Sequence, residues 1–227
     1  MNAKDFTFKH PFTCVVSGPT GSGKTILIRN IIKNFKILIS NYNNYTINVL
    51  WAFGQSQIIH SVPISKEVKL EYNDGLPSET QITEFKPDII VVDDLMYELQ
   101  KSGKLEKLFT KQSHHLKISI FFIVQNLFYK SQIMRTISLN AHYFILLKNP
   151  RDYTQVMYLA RQIFPSSTKY FLESFNDATK SAYGYLKVDL KPDTPENLRL
   201  QTRILPEENK MKFEPIYYKI KDDKQPK

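Results

Sequence analysis

The segment Gly18-Pro19-Thr20-Gly21-Ser22-Gly23-Lys24-Thr25 constrains the chain more than any other. It fits the spacing Gly-x4-Gly-Lys-Thr in full, with β-rich residues before it (12–17) and a helical pattern after it (24–35), where Ile28, Ile31, Ile32 and Phe35 recur on one face. Glycines let the backbone turn so that successive N–H groups point inward at phosphate oxygens. The helix that follows adds the partial positive charge of its N-terminus. Lys24 supplies a point charge for the β- and γ-phosphates, and the Thr25 hydroxyl can ligate Mg²⁺. Three of the chain's seven glycines fall in this loop. A mere strand-to-helix turn would not also set a lysine and a hydroxyl at the helix start. Gly18 to Thr25 therefore read as the nucleotide-binding residues, with ATP and Mg²⁺ as the cofactors.

Elsewhere short apolar runs alternate with longer amphipathic ones, the pattern of an α/β fold with a mostly parallel central sheet and helices on both faces. Strands are expected at 12–17, 47–53, 68–72, 88–93, 118–124, 142–147 and 183–188. Helices are expected at 24–35, 95–110 (bent near Gly103), 152–164 and 167–179. A chain of 227 residues, 42% hydrophobic, can bury one substantial core. The reading is one domain over 1–205 and a basic C-terminal tail, surface-attached or mobile, over 206–227. The single cysteine, Cys14, allows neither an intrachain disulfide nor a cysteine-cluster metal site, and its apolar neighbours suit a buried thiol in a core strand. No signal peptide or membrane-spanning run is evident, so a reducing, aqueous compartment is expected. The formal charge of +9 would attract a polyanion such as nucleic acid, although a generally basic protein would show it too.

The apolar run 89–92 ends in Asp93-Asp94. A carboxylate at a strand end beside the phosphate loop can hold Mg²⁺ through its water shell, and a second can orient and deprotonate a water. Asp93 is assigned to the metal with Thr25, and Asp94 to the water; Asp94 could also cap a following helix. Gln125 closes the next strand. If that strand lies between the loop strand and the Asp93 strand, its amide reaches the γ-phosphate; otherwise it caps a loop. No Asn-Lys-x-Asp element for guanine is present, nor an Asp-x-x-Gly switch at Asp93, and seven glycines cannot supply a transporter-type second motif. A small-molecule kinase stays open, since Lys24, Asp93 and a later arginine would serve one.

In order along the chain, His10-Pro11-Phe12, the phosphate loop, Val92-Asp93-Asp94-Leu95-Met96, Gln125-Asn126-Leu127-Phe128, Lys148-Asn149-Pro150-Arg151-Asp152 and Tyr183-Gly184-Tyr185 resemble the FtsK/HerA superfamily. Within it the likeness is to the poxvirus-type and Polinton-type viral DNA-packaging ATPases. It runs from about residue 10 to residue 204.

The resemblance implies a RecA-like P-loop NTPase core and a homo-oligomeric ring, pentamer or hexamer, around double-stranded DNA. It also implies ATP sites between neighbours, each completed by an arginine from the next subunit. Arg135 and Arg151 are the candidates, Arg151 slightly ahead because it follows a strand end; either could equally serve a salt bridge. Asp94 stands where many members have glutamate. A capsid or portal vertex would be the further partner, and the virion or the host-cell cytoplasm and viral factory the location.

Lys101, Lys104, Lys107 and Lys111, followed by His114, His115 and Lys117, are the candidate DNA contacts, with an ordinary solvated face as the alternative. The histidine pair has no companion ligands at metal-site spacing. The expected function is an ATP-hydrolysing motor that translocates double-stranded DNA, packaging a viral genome into a preformed capsid. A nucleoside or nucleotide kinase and a nucleotide-gated assembly factor with little turnover are the competing classes.

Overall fold

Every residue of the runs 13–17, 89–93, 119–124 and 143–147 is buried in the computed structural model. Runs this apolar on both faces require cover on both sides. The structure describes residues 7–54, 63–95, 115–127, 132–210 and 215–219. Its strands are β1 (Phe8–Lys9), β2 (Thr13–Ser17), β3 (Ile39–Ser40), β4 (Ile47–Phe53), β5 (Val68–Asp74), β6 (Ile89–Asp93), β7 (Ser119–Val124), β8 (Tyr143–Leu147), β9 (Tyr185–Asp189), β10 (Leu200–Thr202) and β11 (Ile216–Tyr217). Its helices are α1 (Lys24–Lys33), α2 (Phe35–Leu38), α3 (Glu79–Phe85), α4 (Gln132–Leu139), α5 (Thr154–Ile163) and α6 (Thr168–Ala178).

Nine strands form one sheet in the order β11-β10-β9-β8-β2-β7-β6-β4-β5. Every pairing from β8 across to β5 is parallel. Strands β9, β10 and β11 extend it in antiparallel fashion. Alternation along the strands divides the core. Val15, Ile90, Val92, Ile120 and Phe122 meet α4, α5 and α6, whereas Cys14, Val16, Ile89, Val91 and Phe121 meet α1 and α2. This is the expected mostly parallel sheet with helices on both faces. No described helix is long and apolar enough to cross a membrane.

Two local departures from the sequence expectations have physical causes. The helix expected over 24–35 stops at Lys33, because Asn34 leaves helical geometry (φ −97°, ψ 25°), its side chain adding a bond to the Asn30 carbonyl (2.9 Å) that already accepts from its own backbone N–H. The strand expected at 183–188 starts at Tyr185, since Tyr183 has a positive φ of 61° and sits in a turn. Residues 206–209 and 215–219 of the expected tail lie against the domain, which is the surface-attached form of that expectation. Glu208 accepts from the Tyr185 hydroxyl (2.7 Å), and β11 pairs with β10. Apart from Leu95, the helix expected over 95–110 lies outside the described residues.

Away from the loop, two charged residues of β9 are buried among the described residues, Lys187 and Asp189. Lys187 on β9 is fully buried, donates to Gln201 Oε1 (2.9 Å) and lies 4.5 Å from the centre of the Phe8 ring. Burial pushes its ammonium down to about 8, with Asp189 opposing. A lysine in the unfolded chain titrates near 10.4. Between pH 8 and that value the unfolded state binds more protons, so the Lys187 contribution to stability rises with pH. Burial raises the Cys14 thiol, which acts in the opposite sense above its ordinary range. The test is therefore a difference: in denaturant unfolding from about pH 7.5 to about pH 10, stability should shift toward wild type relative to Lys187→Met. A pH-independent difference would mean that folded Lys187 keeps its proton across this range as the unfolded chain does, and would overturn the lowered value.

Candidate nucleotide-binding site

Parallel register brings the ends of β2, β7 and β6 to one edge of the sheet, with Ser17 opposite Val124 and Asp93 opposite Ile123. Strand β7 lies between β2 and β6, the arrangement on which the reach of Gln125 depends. The loop leaves β2 with Gly21 and Gly23 at φ 77° and 93°, a region that side-chain-bearing residues rarely enter. Helix α1 then opens with no side-chain cap and no acidic residue in its first turn. Its leading N–H groups are thus unspent on the chain's own side chains and suit an anion.

A cleft of about 400 Å³ lies over this edge. Thr20, Gly21, Gly23, Lys24, Thr25, Asp93, Asp94 and Gln125 all line it. Lys24 Nζ donates to the carbonyls of Gly18 (2.6 Å) and Pro19 (2.8 Å) across the loop. Burial lowers its pKa, and the carboxylates of Asp93 and Asp94 oppose that shift. Thr25 Oγ1 donates to Asp93 Oδ2 at 3.1 Å, and burial raises the Asp93 carboxyl against that bond. A hydroxyl beside one carboxylate suits Mg²⁺, which keeps several waters and takes its other ligands from phosphates. Among the described residues no cluster of three or more His, Cys, Asp or Glu offers an all-protein metal cage.

Asp94 follows in a left-handed conformation, φ 55°. The Gln125 amide donates to both of its carboxylate oxygens, at 3.2 and 3.1 Å. The backbone here is clamped from the β4 side: Gly54 N–H donates to the Asp93 carbonyl, and a Cβ on Gly54 would lie 2.8 Å from the Asp94 carbonyl oxygen. Sequence reasoning missed Gly54. A glycine after an apolar strand was the only local signal, and the contact that gives it meaning is made across the sheet.

The other expected site residues lie elsewhere. Arg151 is exposed in the turn after β8, and Arg135 is exposed on α4; neither lines the cleft of its own chain. His115 and Lys117 are exposed just ahead of β7, at the end of the strands opposite the loop. Lys101, Lys104, Lys107, Lys111 and His114 lie outside the described residues. The cleft is also lined by Ile26, Arg29 and Tyr183, none of which the sequence marked as a site residue. Arg29 donates to the Tyr72 hydroxyl at 3.0 Å and so ties α1 to β5.

No protein-family model matches the chain, and no curated protein matches its sequence. Solved structures do match in fold. The genome packaging NTPase B204 from Sulfolobus turreted icosahedral virus 2, in complex with ATP-gammaS, superposes with a TM-score of 0.53 at 13% identity, covering 84% of this chain and 94% of that one. A KaiC-like protein, PH0186, from Pyrococcus horikoshii OT3 gives 0.44 at 13% identity over 93% and 91% of the two chains. The fold is that of a RecA-like P-loop NTPase.

Gly54→Ala tests whether the approach of β4 sets the position of Asp94. The obstruction is backbone, which no rotamer change relieves. Affinity for MgATP by calorimetry is expected to stay within about threefold, while hydrolysis falls roughly a hundredfold. Equal loss of both would place the effect in the fold at large.

Proposed function

We propose that the chain is an ATP-hydrolysing motor that translocates double-stranded DNA and packages a viral genome into a preformed capsid. The observation that carries the reading is the Asp94–Gln125 pair at the cleft edge, one and two strands over from the phosphate loop, after β7 and β6. A site that only bound nucleotide would need no paired carboxylate and amide at that edge. The fold shared with a genome packaging NTPase and the net charge of +9 support the choice of duplex DNA as the track.

In this reading the loop amides and the start of α1 bind the β- and γ-phosphates. Lys24 exchanges the Gly18 and Pro19 carbonyls for phosphate oxygens, its charge maintained by Asp93 and Asp94. Thr25 and, through water, Asp93 would hold Mg²⁺, which supplies charge neutralisation at the phosphates. Asp94 orients the attacking water and takes its proton. Gln125 turns from Asp94 toward the γ-phosphate and senses its departure. Arg151, or else Arg135, is supplied by the neighbouring subunit of a homo-oligomeric ring; both being exposed and off the cleft of their own chain suits that role. The catalytic unit is residues 1–205, and the basic segment 206–227 follows it.

Assembled protein is expected to hydrolyse ATP faster with duplex DNA at low salt and to lose that stimulation as salt rises. Lys24→Ala should abolish turnover, and Asp94→Asn should lower it by about a hundredfold or more. Indifference of assembled rings to DNA would overturn the motor reading. Lys24→Ala and Arg151→Ala proteins, each inactive alone, should partly restore turnover when mixed, because a mixed ring contains some interfaces with both groups intact. Rescue by Arg135→Ala in place of Arg151→Ala would move the arginine assignment.

A further inference from the structure

Two large apolar side chains at the mouth of the phosphate cleft are left facing solvent: Ile26 is 60% exposed and Tyr183 72% exposed. Tyr183 lies over Gly23, where a Cβ would come within 3.1 Å of its ring. Tyr183 is held in place by its turn. Its φ of 61° is a conformation that bulky residues rarely adopt. The next residue, Gly184, donates from its N–H to the Ser181 carbonyl (3.1 Å), and a Cβ there would collide with the Ala178 and Ser181 carbonyls. The fold thus fixes a strained backbone in order to present an aromatic face, without burying that ring. Residues strained in this way cluster at ligand clamps and active sites.

Tyr183 also borders a second cavity, of about 280 Å³, on the β8 side of the loop. Ser22, Lys148, Lys180 and Ser181 line that cavity. Within it Ser22 Oγ is buried and has no hydrogen-bond partner among the described residues. Polar donors and an unpartnered hydroxyl behind an exposed ring suit a flat heterocycle with a sugar attached, which offers an apolar face and a polar edge.

We propose that Tyr183 and Ile26 form a nucleobase clamp, with the base of the bound nucleoside triphosphate stacked on the Tyr183 ring and its polar side turned to the cavity of Ser22 and Ser181. This rests on the reading of the loop as a triphosphate cradle. Gly23 is the spacer that allows the ring to lie close above the start of α1.

The experiment separates base from phosphate. Binding of MgATP and of magnesium tripolyphosphate, which has no base, is measured by calorimetry for wild type, Tyr183→Ala and Tyr183→Phe. Tyr183→Ala is expected to weaken ATP about tenfold or more while leaving tripolyphosphate unchanged. Tyr183→Phe, which keeps the ring and drops the hydroxyl, should restore ATP affinity. Unchanged ATP binding by Tyr183→Ala would overturn the clamp, as would an equal loss for both ligands, which would mark Tyr183 as a prop for the loop. Failure of wild type to bind either ligand would instead refute the cradle itself.

Discussion

Two rows of parallel hydrogen bonds, β2 to β7 and β7 to β6, set the geometry on which the cleft depends. They fix how far each strand reaches before the chain turns, and so they place the loop, Gln125 and Asp93-Asp94 at one level. Slipping either pairing by a single residue would turn Asp93 to the opposite face of the sheet. The register is protected by its burial, because a slip would also exchange the apolar sets that meet α1 and those that meet α5 and α6. Packing of the core and placement of the charges are thus one constraint.

The charges at the cleft depend on one another. Burial alone favours a neutral Lys24 and a neutral Asp93. Each is held toward its ionised form by the other, and by Thr25 in the case of Asp93. A polar cluster sealed this way responds to any incoming anion as a unit, since a phosphate near Lys24 changes the balance at both carboxylates.

Much of this was legible in the sequence where the determinant is local. The phosphate loop is a contiguous pattern, and the apolar runs that end at Asp93 and Val124 announce buried strands that stop at polar groups. The order β2-β7-β6 was a condition attached to Gln125, and no local signal could have fixed it. Gly54 and Tyr183 were not legible as site residues, because their meaning lies in what approaches them from other strands. The capping box of α3, with Ser78 and Gln81 each bonded to the other's backbone, was written in the sequence and went unread. The end of α1 at Asn34 was hidden for a different reason: the apolar spacing continues through Phe35 into a second short helix, so periodicity shows no break.

That break has a mechanical side. The Asn34 side-chain amide, at the end of α1, also donates to the Glu207 carboxylate (3.0 and 3.1 Å), and Lys33 lies 3.5 Å from it. One end of α1 is therefore the floor of the phosphate loop, and the other is tethered to the segment that follows Leu205. A ten-residue helix is a stiff rod of about 15 Å. Tension on the carboxy-terminal segment would be delivered along that rod to the residues beneath the phosphates, and recoil at the phosphates would travel back the same way.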